Sequence, residues 1–247
     1  MNWKEELLTS PLYDWFGKRS FAQSGEDLIA WGEIQGSKTQ KLKNAKQGQM
    51  GFYVDIGAYH PKLFSNTYLF YKKGWRGICV DPNPKMGEIF AKARPRDVFL
   101  NCGVGGKRSR ISDVRAQMEY FMFEDGAANT FSAEQAKRNQ KEAGRKLMGT
   151  KNIPIRPLRE ILDKYAPKGQ RIDLLSVDVE GMDLEVLKSN DWKIYQPKIV
   201  ICEDLEFDVQ NWKKSKVAVY LASLGYELKA KTPYSLVFKR VKVRVVE

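Results

Sequence analysis

Two short apolar runs, each closing on an aspartate, limit what this chain can become. Residues 51–61 read Gly-Phe-Tyr-Val-Asp-Ile-Gly-Ala-Tyr-His-Pro, and residues 77–82 read Gly-Ile-Cys-Val-Asp-Pro. Runs of this length between glycines and prolines are the pattern of buried strands, and the carboxyl ends of such strands carry polar groups into a ligand crevice in open α/β sheets. Strand and helix patterns then alternate. Strands are predicted at 52–56, 77–80 and 98–101, with helices at 61–73 and 85–93 between them. After a break come a helix at 158–165, strand four at 172–178, a helix at 182–188, strand five at 198–202, a helix at 214–224, and a closing hairpin from 226–230 and 235–241. That order specifies a mostly parallel sheet with helices on both faces.

The two aspartates, Asp55 and Asp81, lie 26 residues apart, close to the roughly 20-residue spacing between a nucleotide-binding turn and the acid that grips a ribose. The Gly57-Ala58-Tyr59 turn lacks the second and third glycines of G-x-G-x-x-G, which let backbone approach a pyrophosphate. A nucleoside without phosphates fits better, and S-adenosylmethionine is one: a ribose diol, an adenine and an amino-acid tail. With no side chain, Gly57 would let the methionine portion approach the backbone. Asp55 would hold that turn, receive the cofactor ammonium through water, or simply cap the next helix. Asp81 offers two acceptor oxygens for the two ribose hydroxyls; its plainer role is a turn aspartate before Pro82.

Phe21-Ala-Gln-Ser-Gly-Glu-Asp27, Val54-Asp-Ile-Gly-Ala-Tyr-His-Pro61, Ser65-Asn-Thr67, Gly74-Trp-Arg-Gly-Ile-Cys-Val-Asp-Pro-Asn-Pro84 and Asp173-Leu-Leu-Ser-Val-Asp-Val-Glu-Gly181 follow one another along the chain. Together, over about residues 20–240, they resemble the FkbM family of S-adenosylmethionine-dependent methyltransferases. The resemblance implies an α/β, class I, Rossmann-like methyltransferase fold ending in an antiparallel hairpin. It implies the ribose role for Asp81, and it makes Gln23 and Asn66 candidates for the cofactor's amino-acid end, where capping and core hydrogen bonds are an equal alternative. By fold analogy alone, Cys102 would lie near the adenine. The implied reaction is methyl transfer to a hydroxyl, with a sugar in a glycan as the leading acceptor. A small natural-product alcohol is the alternative and predicts an apolar pocket of Tyr120, Phe121, Phe123 and Phe131.

Strand four carries the densest chemistry. Asp178 and Glu180 are two residues apart, so on an extended strand both point to one face, and Glu203 and Asp204 end strand five beside them. An alcohol is a poor nucleophile until its proton is drawn off, which a positioned carboxylate or histidine can do. Asp178 is the first candidate for that base, with Glu180 binding the acceptor. His60, the single histidine, is the second candidate, by virtue of its pKa; a local backbone role is its structural alternative. Such acids also suit magnesium or calcium, but no metal is among the expected ligands, and one histidine without Cys-x-x-Cys excludes a common zinc site.

The expected organisation is an N-terminal helical cap with a lysine-rich loop over 1–50, then a methyltransferase domain over 51–247. The strand–helix rhythm breaks at about 103–152. This lid-like insert is read as a turn at 103–106, a glycine–alanine loop at 121–130 and a charged helix over 132–148 opened by a Ser132 capping box. The chain carries 42 basic and 30 acidic residues, net +12, with lysines clustered at 37–49 and eight basic residues against one acid between 137 and 159. A positive surface attracts nucleic acid, anionic membrane or an acidic glycan, or merely keeps the protein soluble. Without interleaved aromatics the nucleic-acid option is weak; a non-catalytic basic scaffold is the third functional reading. Nothing approaches a membrane span or signal-peptide core, and three scattered cysteines read as buried thiols, so a cytoplasmic setting is expected. The oligomeric state has no signature here.

Overall fold

The computed structural model describes residues 19–39, 50–106 and 117–241. The expected helical pattern before residue 19 and the lysines at 41–46 lie outside the described residues. Helix α1 is Glu26–Thr39. There follow β1 (Phe52–Ile56), α2 (Tyr68–Lys72), β2 (Arg76–Val80), α3 (Met86–Ala93), β3 (Val98–Leu100), β4 (Gly103–Val104) and β5 (Gln117–Phe123). The second half holds α4 (Ala133–Lys141), β6 (Leu147–Arg156), α5 (Leu158–Tyr165), β7 (Leu174–Val177), α6 (Asp183–Lys188), β8 (Ile199–Glu203), α7 (Lys216–Ser223), β9 (Tyr226–Lys231) and β10 (Ser235–Arg240).

Seven strands form one sheet in the order β3-β2-β1-β7-β8-β10-β9. The first five are mutually parallel, and β10 enters antiparallel between β8 and β9. Strand alternation sends Phe52, Val54 and Ile56 to one face, where Leu158, Ile161, Val186 and Leu221 of α5, α6 and α7 close over them. Tyr53 points to the other face, among Ala30, Ile34, Phe70 and Phe90 of α1, α2 and α3. Each fully buried leucine or isoleucine contributes about 1.5–3 kcal/mol, so both layers are needed to hold the sheet. The predicted mixed α/β architecture and closing hairpin are both present, and no helix among the described residues is long and apolar enough to cross a membrane.

The insert departs from its sequence reading. In place of a turn and a loop, a second, three-stranded sheet forms in the order β4-β6-β5, with β5 and β6 antiparallel from Gln117↔Pro154 to Phe123↔Leu147. The charged helix stops at Lys141 rather than running to 148; Gly144 follows with φ 63, a left-handed conformation that ends helices readily. Ser132 does cap it, accepting from Gln135 N–H, but the Gln135 side chain turns to Asn139, so the box is half made. The first crossover helix is shorter than expected, because residues 61–67 are spent on a hydrogen-bonded loop before α2 begins.

Candidate active site

A cavity of about 800 Å³, counted to its open mouth, lies over the carboxyl ends of β1, β2 and β7. In the strand order, β1 has β2 on one side and β7 on the other, so this is where the chain reverses its direction of winding and where open α/β sheets bind ligands. Gly57, Asp81 and Asp178 line the floor; Cys102 and Val104 continue it, and Tyr120, Thr130 and Phe131 of the insert form the opposite wall. The insert is tied down there by Thr130 Oγ1, which donates to the Glu180 carbonyl at 2.8 Å.

Asp81 follows β2 directly. Its two oxygens each accept one backbone N–H, from Tyr59 and from Asn83, both at 2.8 Å. An ionised carboxylate has about four acceptor positions, so capacity is left for a ligand hydroxyl pair. Burial pushes this carboxyl up to about 7, against the pull of those two N–H groups. Cys102 is buried in the cavity wall, and burial raises its thiol to about 11, leaving it an uncharged, apolar surface beside the Tyr120 and Phe131 rings, which sit 4.7 Å apart. Gln23 reaches the rim. The lining holds three acids, Asp81, Asp178 and Glu180, and no lysine, arginine or histidine among the described residues.

Gly57 has φ +79, and a β-carbon on it would stand 1.7 Å from the Asp178 carbonyl oxygen. The missing side chain therefore serves contact between β1 and the end of β7.

Asp178, Glu180 and Glu203 bring carboxylate oxygens within 4.8 Å of one another. Strand alternation is not the reason: β7 ends at Val177, and Glu180 sits at φ 54 in the turn beyond it. Burial and the neighbouring negative charges push Asp178 up to about 6, Glu180 to about 8 and Glu203 to about 11. The three carboxyls therefore do not all ionise together at neutral pH, and the cluster keeps a proton while leaving a carboxylate to act as a base. Separations of this size are also what a divalent cation with oxygen ligands spans.

Other predicted residues are placed elsewhere. The Asp55 carboxylate lies on the far face of the sheet, accepting from Thr67 Oγ1 with the Arg94 guanidinium close by. Asn66 is buried and donates to Ser176 Oγ at 3.1 Å. His60 Nδ1 accepts from the backbone N–H of Lys62 and of Leu63, at 3.2 and 3.0 Å; burial and Lys62 lower its pKa. None of the three lines the cavity. Of the four aromatics that an apolar acceptor pocket would need, Tyr120 and Phe131 face the cavity over Asp81. Phe123 instead packs with Ala128 and Ala136, with Phe121 against them.

Arg94 has no counterpart in the sequence reading. It is fully buried, paired to Asp97 at 2.6 Å, and donates to Thr67, Ser65 and the Pro61 carbonyl. Those bonds fix the 61–67 loop behind the Gly57 turn. The Arg-Pro-Arg-Asp run of 94–97 has no apolar periodicity, so only the spacing of Arg94 and Asp97 hinted at the pair.

A family model described as the methyltransferase FkbM domain matches residues 55–228, which includes Asp55, Asp81, the insert, the three clustered acids and the start of the hairpin. The comparison with curated proteins finds none that matches.

Proposed function

We propose that this chain, which belongs to the FkbM methyltransferase domain family, moves the methyl group of S-adenosylmethionine to a hydroxyl oxygen of a sugar. The observation that carries the cofactor assignment is the cavity's lining: three carboxyl groups and, among the described residues, no lysine, arginine or histidine. A phosphate would find no counter-charge there, whereas a sulfonium and an ammonium would. Asp81 would hold the ribose hydroxyls through its remaining acceptor positions, Tyr120, Phe131 and Cys102 would flank the adenine, and Gln23 would meet the amino-acid end.

S-adenosylmethionine supplies an electrophilic methyl carbon on a sulfonium. The protein's part is to hold the acceptor in line and to take its proton. Asp178, its carboxyl raised by burial beside the other acids, would accept the hydroxyl proton as the new C–O bond forms and the methyl–sulfur bond breaks, leaving S-adenosylhomocysteine. Glu180 would hold a neighbouring oxygen of the acceptor by a hydrogen bond. Alignment supplies much of the rate on its own. The small-alcohol reading is the weaker one, because its four aromatics do not share a pocket. The test is transfer of a labelled methyl group to a panel of sugars and to hydrophobic alcohols. Label in the alcohols alone would reject the sugar assignment.

A further inference from the structure

A second cavity opens on the other side of the carboxylate cluster. It measures about 1450 Å³ to its open mouth and is walled by α4, the start of α6, residues 203–206 after β8, and the start of α7. Its lining includes Glu134, Asp183, Glu185, Glu203, Asp204 and Glu206. Glu203 belongs both to this wall and to the trio whose other members, Asp178 and Glu180, line the first cavity. The carboxylate trio therefore bridges the walls of the two cavities, with its members' oxygens within 4.8 Å of one another.

Resting on the methyltransferase reading, we propose that this groove is the acceptor channel and that it takes an uncharged, polyhydroxylated sugar. The cations in its wall are Arg138, Lys214 and Lys216, and Arg138 is already engaged by Glu206 at 2.8 Å and Glu134 at 3.3 Å. Asp204 accepts from Ser215 at 2.6 Å, and Asp183 from the backbone N–H of Val179 and Gly181. The wall is thus rich in hydrogen-bonding carboxyl groups, six against three cationic side chains among the described residues. Hydroxyl groups can donate to such carboxyls. An anionic sugar would have to bring its charge past Glu134, Glu185, Asp204 and Glu206 toward Asp178, where like charge is costly. The chain's net charge of +12 points toward an acidic glycan, but among the described residues only those three basic side chains line this groove.

The test is calorimetric titration with matched tetrasaccharides of glucose, galactose and mannose and their C6-oxidised uronates, in the presence of S-adenosylhomocysteine. In at least one pair the neutral member should bind about tenfold or more tightly than its uronate, the cumulative effect of a few partly screened charges. Glu185→Lys should narrow that gap by about threefold while leaving S-adenosylhomocysteine affinity unchanged. Equal or tighter uronate binding in every pair, or no binding by any tetrasaccharide, overturns the proposal. Failure of S-adenosylhomocysteine itself to bind would instead reject the methyltransferase reading beneath it.

Discussion

The carbonyl oxygen of Asp178 fills the place where a β-carbon on Gly57 would lie, 1.7 Å from that point. The turn after β1 and the acid just past β7 are therefore packed backbone to backbone. Gly57→Ala adds a clash to a left-handed φ of +79. It should lower stability by about 2–4 kcal/mol in urea unfolding and reduce turnover in whatever remains folded. A wild-type unfolding curve would show that the turn yields freely.

Asp178 and His60 make opposite predictions. Asp178→Asn should cut kcat about 10²–10⁴-fold, leaving the residue that alignment supplies. A base must be ionised to act, so wild-type kcat should rise with pH through about 6, and the variant should lose that limb. His60→Asn should keep kcat within about threefold, because the histidine serves its own turn. A pH profile that follows His60 instead would reassign the base.

The raised carboxyls also set how stability depends on pH. Asp81, Glu180 and Glu203 have folded values of about 7, 8 and 11, against roughly 4 in an unfolded chain. Between the unfolded and folded values the folded state binds more protons, so stability falls as pH rises. Thermal unfolding should show Tm declining from about pH 5 to about pH 8. Glu203→Gln should flatten that decline and stabilise the protein at the upper end by on the order of 1 kcal/mol. A Tm that climbs across this range would contradict the clustered, proton-holding arrangement.

Arg94→Met removes a buried guanidinium and leaves Asp97 without it. The expected loss is about 3–5 kcal/mol by denaturant titration. Asp97→Asn with Arg94→Met should recover part of it, since an unpaired buried charge is the main cost. Equal stability of the single and double variants would show that the pairing is immaterial.

Much of this was legible in the sequence, and the failures have physical causes. The strand–helix rhythm revealed the sheet because parallel strands buried on both faces read as continuous apolar runs. Asp55 and Asp81 carry the same local signature, an apolar run ending on an acid, yet only Asp81 reaches the cavity. Asp55 is still within β1, paired beside Cys79 and Ser176, so alternation turns it to the opposite face. Asp81 is one residue past its strand and free to turn inward. The convergence of Asp178 and Glu180 was anticipated from strand alternation but arises from a turn. The insert's second sheet has no local signature, because Leu147–Arg156 holds Gly149 and Pro154 among polar residues; its pairing with β5 and β4 is a tertiary choice rather than a local propensity. Arg94 was hidden for the same reason, its burial decided by Ser65 and Thr67 far along the chain.

The most direct test is calorimetric titration of S-adenosylhomocysteine into the wild-type protein and into Asp81→Asn. Micromolar binding should weaken by about 1.5–3 kcal/mol in the variant, the range for hydrogen bonds to a charged group. Equal affinity for the two proteins would remove Asp81 from the ribose site, and no binding to either would contradict the assignment of this cavity to S-adenosylmethionine.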